Sequence, residues 1–216
     1  MALSRSPVDD RTRLDFWQAA SGAVLALFVC VHLVLEGTVV LSPALTNGIA
    51  WLLEVTMLAQ VVAPVIMLLI LFHFYIAARK MPFRANELCI FVEHSKGLKE
   101  LDTWLWLVQV FTAIIILAGA FYHVYGVMTD LPINVAGSTK RLHAGWLAFY
   151  VFFLPCVILH TGIGVYRLAV KFGFCVKATR PAWRKWTWIV MGCYLLLGAA
   201  ALTRVVSGIG GAYASF

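Results

Sequence analysis

Five apolar stretches, each long enough to cross a lipid bilayer, dominate this sequence. A spanning helix needs roughly 20 mainly apolar residues. The chain is 62% hydrophobic and only 12% charged, whereas soluble domains are about half apolar and a quarter charged. We therefore predict an all-α integral membrane protein that forms one domain over residues 1–216. Its five transmembrane helices are predicted at about 17–41, 49–78, 103–128, 144–170 and 185–208.

The basic residues are distributed unevenly between the two sides of this predicted bundle. Fourteen of them lie on one side: before the first stretch (Arg5, Arg11 and Arg13), between the second and third stretches, and between the fourth and fifth. Only three lie on the opposite side. Because cytoplasmic flanks are rich in Lys and Arg, the N-terminus is predicted to be cytoplasmic and the C-terminus outside. These flanks also account for the net charge of +7, so we expect lipid rather than nucleic acid as a partner.

Four histidines lie inside four different apolar stretches: His32, His73, His123 and His160. An ionisable residue within a membrane is a functional-site hypothesis by default. Counted along the helices, His32 and His123 fall in the outer half of the bilayer. His73 and His160 fall in the inner half, so the two pairs differ in depth by on the order of 10–15 Å.

Two imidazoles that face each other across a bundle core are the ligands that a six-coordinate haem requires. Helices one to four are therefore predicted to form a bundle that holds two haems. The sequence lacks C-x-x-C-H, so the haems are expected not to be attached covalently. Two other readings remain: four unrelated polar residues bonded between helices, or a zinc site, for which no close carboxylates or thiolates are evident.

The propionates of a haem need hydrogen-bond donors near the membrane surface. Arg167 follows His160 by seven residues toward the cytoplasm, and Lys171 follows four residues later, so both are candidate propionate partners. Gln18, Ser21 and Trp106 lie near the cytoplasmic helix ends and are candidate donors too. The alternative for the two cations is contact with lipid headgroups.

Glu54 is an acidic residue in an apolar setting near the outer start of the second stretch. If the outer haem takes electrons from a hydroquinone, protons must also leave, and Glu54 is the predicted acceptor. The alternative is an interfacial glutamate that reaches water. Glu36, one turn beyond His32, is a weaker candidate for the same task.

Several sequence segments together resemble one known family. The chain resembles the di-haem cytochrome b subunit of bacterial succinate:quinone oxidoreductases, the membrane anchor of quinol:fumarate reductase or succinate dehydrogenase. The most specific segment is HTGIGVYRLAVKFG at 160–173. The other segments are 15–22, 31–33, 73–82, 102–109 and 123–125.

This resemblance implies two haems b, with His73 and His160 on the haem nearer the iron–sulfur subunit and His32 and His123 on the distal haem. It implies propionate contacts at Gln18, Trp106, Arg167 and Lys171, and a menaquinol-site glutamate at Glu54.

The resemblance also implies partners: a flavoprotein subunit with FAD that handles fumarate and succinate, and an iron–sulfur subunit. It further implies a dimer of heterotrimers in the bacterial inner membrane. The implied function is to anchor these subunits and carry electrons from menaquinol to the iron–sulfur subunit for fumarate reduction. The alternatives are the reverse reaction, succinate oxidation by menaquinone, or the cytochrome b anchor of a hydrogenase or formate dehydrogenase. A haem-free transporter or assembly protein is the alternative from another class.

The chain departs from this family at one position. Some members carry a glutamate two residues before the histidine of the fourth helix, and this glutamate is assigned to a transmembrane proton path. This chain has Ile158 at that position, two residues before His160. Isoleucine cannot carry a proton, so turnover with menaquinol is expected to be electrogenic or to use another proton route. Measurement of charge movement in proteoliposomes distinguishes the two.

Overall fold

The computed structural model describes residues 7–208, with side chains from Arg11 onward, so Arg5 lies outside the described residues. Every regular element in this range is helical. A 3₁₀ turn, Thr38–Val40, follows the first helix, and a π-helical turn, Leu142–Trp146, precedes the seventh. The helices are α1 (Pro7–Gly37), α2 (Pro43–Val55), α3 (Leu58–Ala78), α4 (Ala85–Leu98), α5 (Leu101–Met128), α6 (Val135–Arg141), α7 (Leu147–Lys171) and α8 (Arg180–Ser207).

Five helical stretches of residues 7–208 are long and apolar enough to cross a membrane. Their outward surfaces carry large apolar side chains such as Leu27, Leu68 and Leu196, which are 66%, 66% and 72% exposed. Such exposure suits lipid contact, because lipid tails solvate apolar side chains. The prediction of an all-helical membrane protein with five spanning helices is confirmed. The spans are Arg11–Val40, Leu58–Ala78, Leu101–Met128, Val135–Lys171 and Arg180–Ser207.

The second predicted helix, 49–78, is divided in two by the structure. α2 ends at Val55 and α3 begins at Leu58, because Met57 adopts a left-handed conformation (φ 57°) between them. The Thr56 hydroxyl donates a hydrogen bond to the Leu52 carbonyl (2.7 Å), which closes the end of α2. With 13 residues, α2 is about 20 Å long and too short to cross the hydrocarbon core. Only α3 is a spanning helix.

The helix break before α7 depends on one glycine. Gly145 has a φ of +103° inside the π-helical turn, a conformation that L side chains rarely adopt. This turn connects α6 to α7, so the fourth span begins nine residues earlier than the predicted 144.

Four of the spanning helices form a closed ring. α1 packs on α3, α3 on α5, α5 on α7, and α7 on α1. α8 packs outside the ring against α7 and α1. The ring helices are the four that carry His32, His73, His123 and His160. We call one end of this ring the inner end, because the charge pattern predicts that it faces the cytoplasm. The opposite end is the outer end.

Close packing between α5 and the start of the fourth span requires Gly126. A Cβ atom added there would lie 1.9 Å from Cη2 of the Trp146 ring. We expect Gly126→Ala to lower the free energy of unfolding by about 1–3 kcal/mol, the usual cost of overpacking. Thermal unfolding of the detergent-solubilised protein measures the effect. Gly192→Ala is the matched control, because no atom lies within 4 Å of a Cβ there, and equal melting of the two variants would contradict the prediction.

Candidate functional site

A single cavity of about 1090 Å³ runs through the four-helix ring. This volume slightly exceeds the roughly 300–1,000 Å³ of pockets that bind one drug-sized ligand. The lining is mainly apolar, and it includes all four intramembrane histidines: His32, His73, His123 and His160. The cavity is therefore large enough for more than one ligand, and it presents two pairs of imidazoles.

The outer pair consists of His32 on α1 and His123 on α5. The centres of their rings lie 6.0 Å apart. A metal ion bound to two imidazole nitrogens at about 2 Å from each holds the ring centres roughly 6 Å apart. The His123 ring is oriented by a hydrogen bond between its Nδ1 and the Tyr150 hydroxyl (2.9 Å), and the His32 ring stacks on Phe28.

The inner pair consists of His73 on α3 and His160 on α7. Nδ1 of His160 lies 3.1 Å from the Gln109 carbonyl oxygen, which can only accept a hydrogen bond. Nδ1 of His160 therefore carries the proton, and its Nε2 keeps a free lone pair. The Thr112 hydroxyl, 3.2 Å from the same Nδ1, accepts as well, because its own proton goes to the Val108 carbonyl.

His73 is held in the same way by a hydroxyl on the neighbouring helix. Ser21 Oγ donates its proton to the Trp17 carbonyl (2.7 Å) and lies 3.0 Å from Nδ1 of His73. It therefore accepts a hydrogen bond from Nδ1–H, and Nε2 remains available as a ligand. Histidines that bind metals are oriented by such bonds at the second nitrogen. Ser21 thus orients His73 instead of lining the cavity.

Gly22 makes room for the His73 ring. A Cβ atom at this position would lie 2.9 Å from Cε1 of His73, a distance too short for a nonbonded contact. Gly119 and Gly162, in contrast, face Phe153 and Met191 and serve helix packing. The orientation of the histidines, the size of the cavity and the space at Gly22 fit a flat group bound by two axial imidazoles, such as haem.

Polar and cationic side chains line the inner end of the cavity, among them the residues that the sequence suggests as propionate partners. Gln18, Trp106, Arg167 and Lys171 all line it near the His73–His160 pair. Trp106 is also packed against Phe91 of α4, with ring centres 4.3 Å apart. These residues could donate hydrogen bonds to carboxylates at this end.

Asp15 holds the cations of the inner end in place, and the sequence did not predict this function. Its carboxylate forms ion pairs with Arg79 and with Lys80 (2.7 Å), and its backbone carbonyl accepts a hydrogen bond from Lys171 Nζ (2.5 Å). Asp15 thus ties the inner ends of α1, α3 and α7 together. A cluster of basic residues around an acid in the sequence could suggest such pairing, but it does not identify the partners.

The structure separates the two acidic residues of the outer end. Glu36 lines the cavity, whereas Glu54 does not. The cavity-facing residues of α2 include Ala50 and Leu53, and Glu54 lies one residue farther, about 100° around the helix. Glu54 is half-buried at the end of α2. Glu54 could therefore accept a proton only from a hydroquinone that reaches the face of α2 beside the cavity.

Other groups that orient the histidines, two side chains and one backbone carbonyl (that of Gln109), were not found from the sequence. Thr112, Gln109 and Tyr150 contact histidines that lie 48, 51 and 27 residues away in the chain. Nothing in the spacing of these residues points to their partners. The other two histidines, His94 and His143, are both exposed and do not line the cavity.

Ile158 lies inside the protein, with 5% of its surface exposed. All ten acidic residues of the sequence lie toward the helix ends or in the connections, and none lies between the depths of the two histidine pairs. Within residues 7–208, no group of three or more His, Cys, Asp or Glu side chains is arranged to hold a metal ion. Paired imidazoles are thus the metal-binding arrangement that the described side chains offer.

Comparison with known proteins relates the chain to one family. The model of the succinate dehydrogenase/fumarate reductase transmembrane subunit matches residues 91–201. The fumarate reductase cytochrome b subunit of one Helicobacter pylori strain is 32% identical over 197 residues, covering 86% of this chain and 77% of the relative. That of a second strain is 31% identical over the same length. The protein of that name from Wolinella succinogenes is 28% identical over 172 residues, covering 75% of this chain and 67% of the relative.

Proposed function

Because the chain belongs to the family of succinate dehydrogenase/fumarate reductase transmembrane subunits, we propose that it is the di-haem cytochrome b subunit of a quinol:fumarate reductase. The chain is a multi-pass protein of the bacterial inner membrane. Its proposed partners are a flavoprotein subunit and an iron–sulfur subunit, which it anchors at the inner end. The assembly as a dimer of heterotrimers is part of the same proposal.

The observation that carries this proposal is the one cavity lined by two histidine pairs. The outer pair is spaced as two axial ligands would be, and the bonds at Nδ1 of His73 and His160 leave each Nε2 free. Two haems b bound there would supply one-electron transfer between menaquinol and the iron–sulfur subunit. The redox potentials of such groups are set by burial and hydrogen bonding, so the same proposal covers succinate oxidation in the reverse direction.

Each end of the cavity has residues suited to one part of this work. At the inner end, Gln18, Trp106, Arg167 and Lys171 would hold the haem propionates by charge and hydrogen bonds. Ser21 would hold the His73 ring in the tautomer that leaves Nε2 free. At the outer end, Glu54 is proposed to accept a proton from menaquinol.

The direct test is the haem content of the purified complex. We expect a reduced-minus-oxidised spectrum with a b-type α-band, two haems per chain, and copurifying flavoprotein and iron–sulfur subunits. A chain that purifies folded but without an α-band is not a cytochrome. Copurification with a hydrogenase or formate dehydrogenase instead would keep the haems and overturn the fumarate assignment.

A further inference from the structure

Glu36 shares a helix face with one of the outer histidines. Val29, His32, Leu33 and Glu36 all line the cavity, and their spacing of three and four residues places them along one side of α1. Glu36 lies one turn beyond His32, about 6 Å farther along the helix axis. A ligand that reaches the outer histidines from the outer end of the cavity therefore passes this carboxylate.

One titratable group from another helix is close enough to Glu36 to interact with it electrostatically. Tyr150 of α7 interacts electrostatically with the Glu36 carboxylate, and its hydroxyl is bonded to His123. Arg141 of α6 also acts on Tyr150 and lines the cavity, with only 13% of its side chain exposed. Glu36 is thus part of a polar cluster at the outer end of an otherwise mainly apolar cavity.

The Glu36 carboxylate is free to bind a ligand. Arg141 forms its ion pair with Asp130 (3.0 Å) and bonds Ser138, so its guanidinium has partners other than Glu36. Glu36 takes part in none of the hydrogen bonds and ion pairs found among the described side chains. It is also exposed and lines the cavity.

We propose that Glu36 is a second catalytic carboxylate for hydroquinone oxidation, which accepts one of the two protons while Glu54 accepts the other. This inference rests on the proposed function. Oxidation of a hydroquinone breaks two O–H bonds, and it releases two protons and two electrons, which haems held by the two histidine pairs would accept. One proton forms an O–H bond on Glu36 and then leaves to the outer water. The substrate class is a quinol whose apolar tail lies along the cavity wall.

Glu36→Gln tests this role, because the amide keeps the shape of the side chain but cannot take the proton. We expect quinol-driven reduction of the haems in the intact complex, followed by stopped-flow absorbance, to slow on the order of 10²-fold, the typical contribution of a general base. Glu36→Asp should restore most of the rate. The haem content of both variants should equal that of the wild type.

A binding measurement separates substrate contact from a change in turnover. A fluorescent hydroxyquinoline analogue of quinol should bind roughly tenfold more weakly to Glu36→Gln, because its hydroxyl loses a charged acceptor. Ala136→Lys is the matched control, since it changes the net charge of the outer end by the same +1 at an exposed position that does not line the cavity. It should leave the rate and the affinity unchanged.

The possible failures are distinguishable. If the wild-type complex reduces no haem with quinol, the proposed function fails. If the wild type does so and Glu36→Gln reduces its haems at the same rate, only the role of Glu36 is overturned. An equal loss of rate in Ala136→Lys would also overturn it, because the effect would then reflect the net charge of the outer end.

Discussion

Replacing His160 with Ala is expected to remove one haem from each chain and to leave the other in place. His160 and His73 line the cavity, and the haem that this pair would hold loses one of its two protein ligands in this variant. The outer pair, His32 and His123, lies on two other helices, α1 and α5. Their ring centres are 6.0 Å apart. The haem-to-protein ratio should fall from two to one, measured by haem extraction and protein assay.

Variants of the other three histidines test the pairing directly. His73→Ala should remove the same haem as His160→Ala, with the same spectral component lost, whereas His32→Ala or His123→Ala should remove the other. His143→Ala is the control, because His143 is exposed and bonded only to the Val206 carbonyl, and it should retain both haems. Loss of both haems or of neither in folded His160→Ala would contradict the pairing.

Replacing Glu54 with Gln is expected to abolish quinol oxidation while both haems remain. The rate of quinol-driven haem reduction should fall by at least about 10²-fold, because the amide cannot accept a proton from the hydroquinone. Glu54 does not line the cavity with the histidines, so the substitution should leave their environment unchanged. Stopped-flow absorbance gives the rate, and chemical reduction with dithionite gives the haem content.

A second assay bypasses the quinol site. Fumarate reduction driven by a reduced viologen dye at the soluble subunits should proceed at the wild-type rate in Glu54→Gln. This control shows that the complex is assembled and active. If quinol oxidation also persists at the wild-type rate, Glu54 is an interfacial residue that reaches water, and the proton acceptors must be sought elsewhere at the outer end.

Much of the fold was predictable because a bilayer imposes strict length and polarity requirements. Apolar stretches of about 20 residues must be helical, since an unpaired backbone amide in hydrocarbon costs several kcal/mol. The break at Met57 was not predictable in this way. The residues from 49 to 78 read as one apolar run, and only the left-handed conformation of Met57 divides the run into α2 and α3.

The candidate site was predictable in part for the same reason. Histidines in apolar stretches are conspicuous, and counting along a helix gives each of them a depth. The partners at the second ring nitrogen were not accessible to such counting. Thr112 approaches His160 across two packed helices, and Ser21 approaches His73 across another two. These contacts depend on helix rotation, which hydropathy does not encode.

Five membrane spans and the family followed from the sequence alone, and the sequence also predicts a depth for each histidine. It could do so because hydrophobic length and positive flanking charge act along the chain, one segment at a time. Three features became visible only in the folded protein. The first is which helices enclose the cavity, and the second is that Glu36 lines it while Glu54 does not. The third is that Asp15 ties three helices together at the inner end. Those features depend on how each helix is rotated against its neighbours, and that rotation is set by close packing at positions such as Gly22 and Gly126.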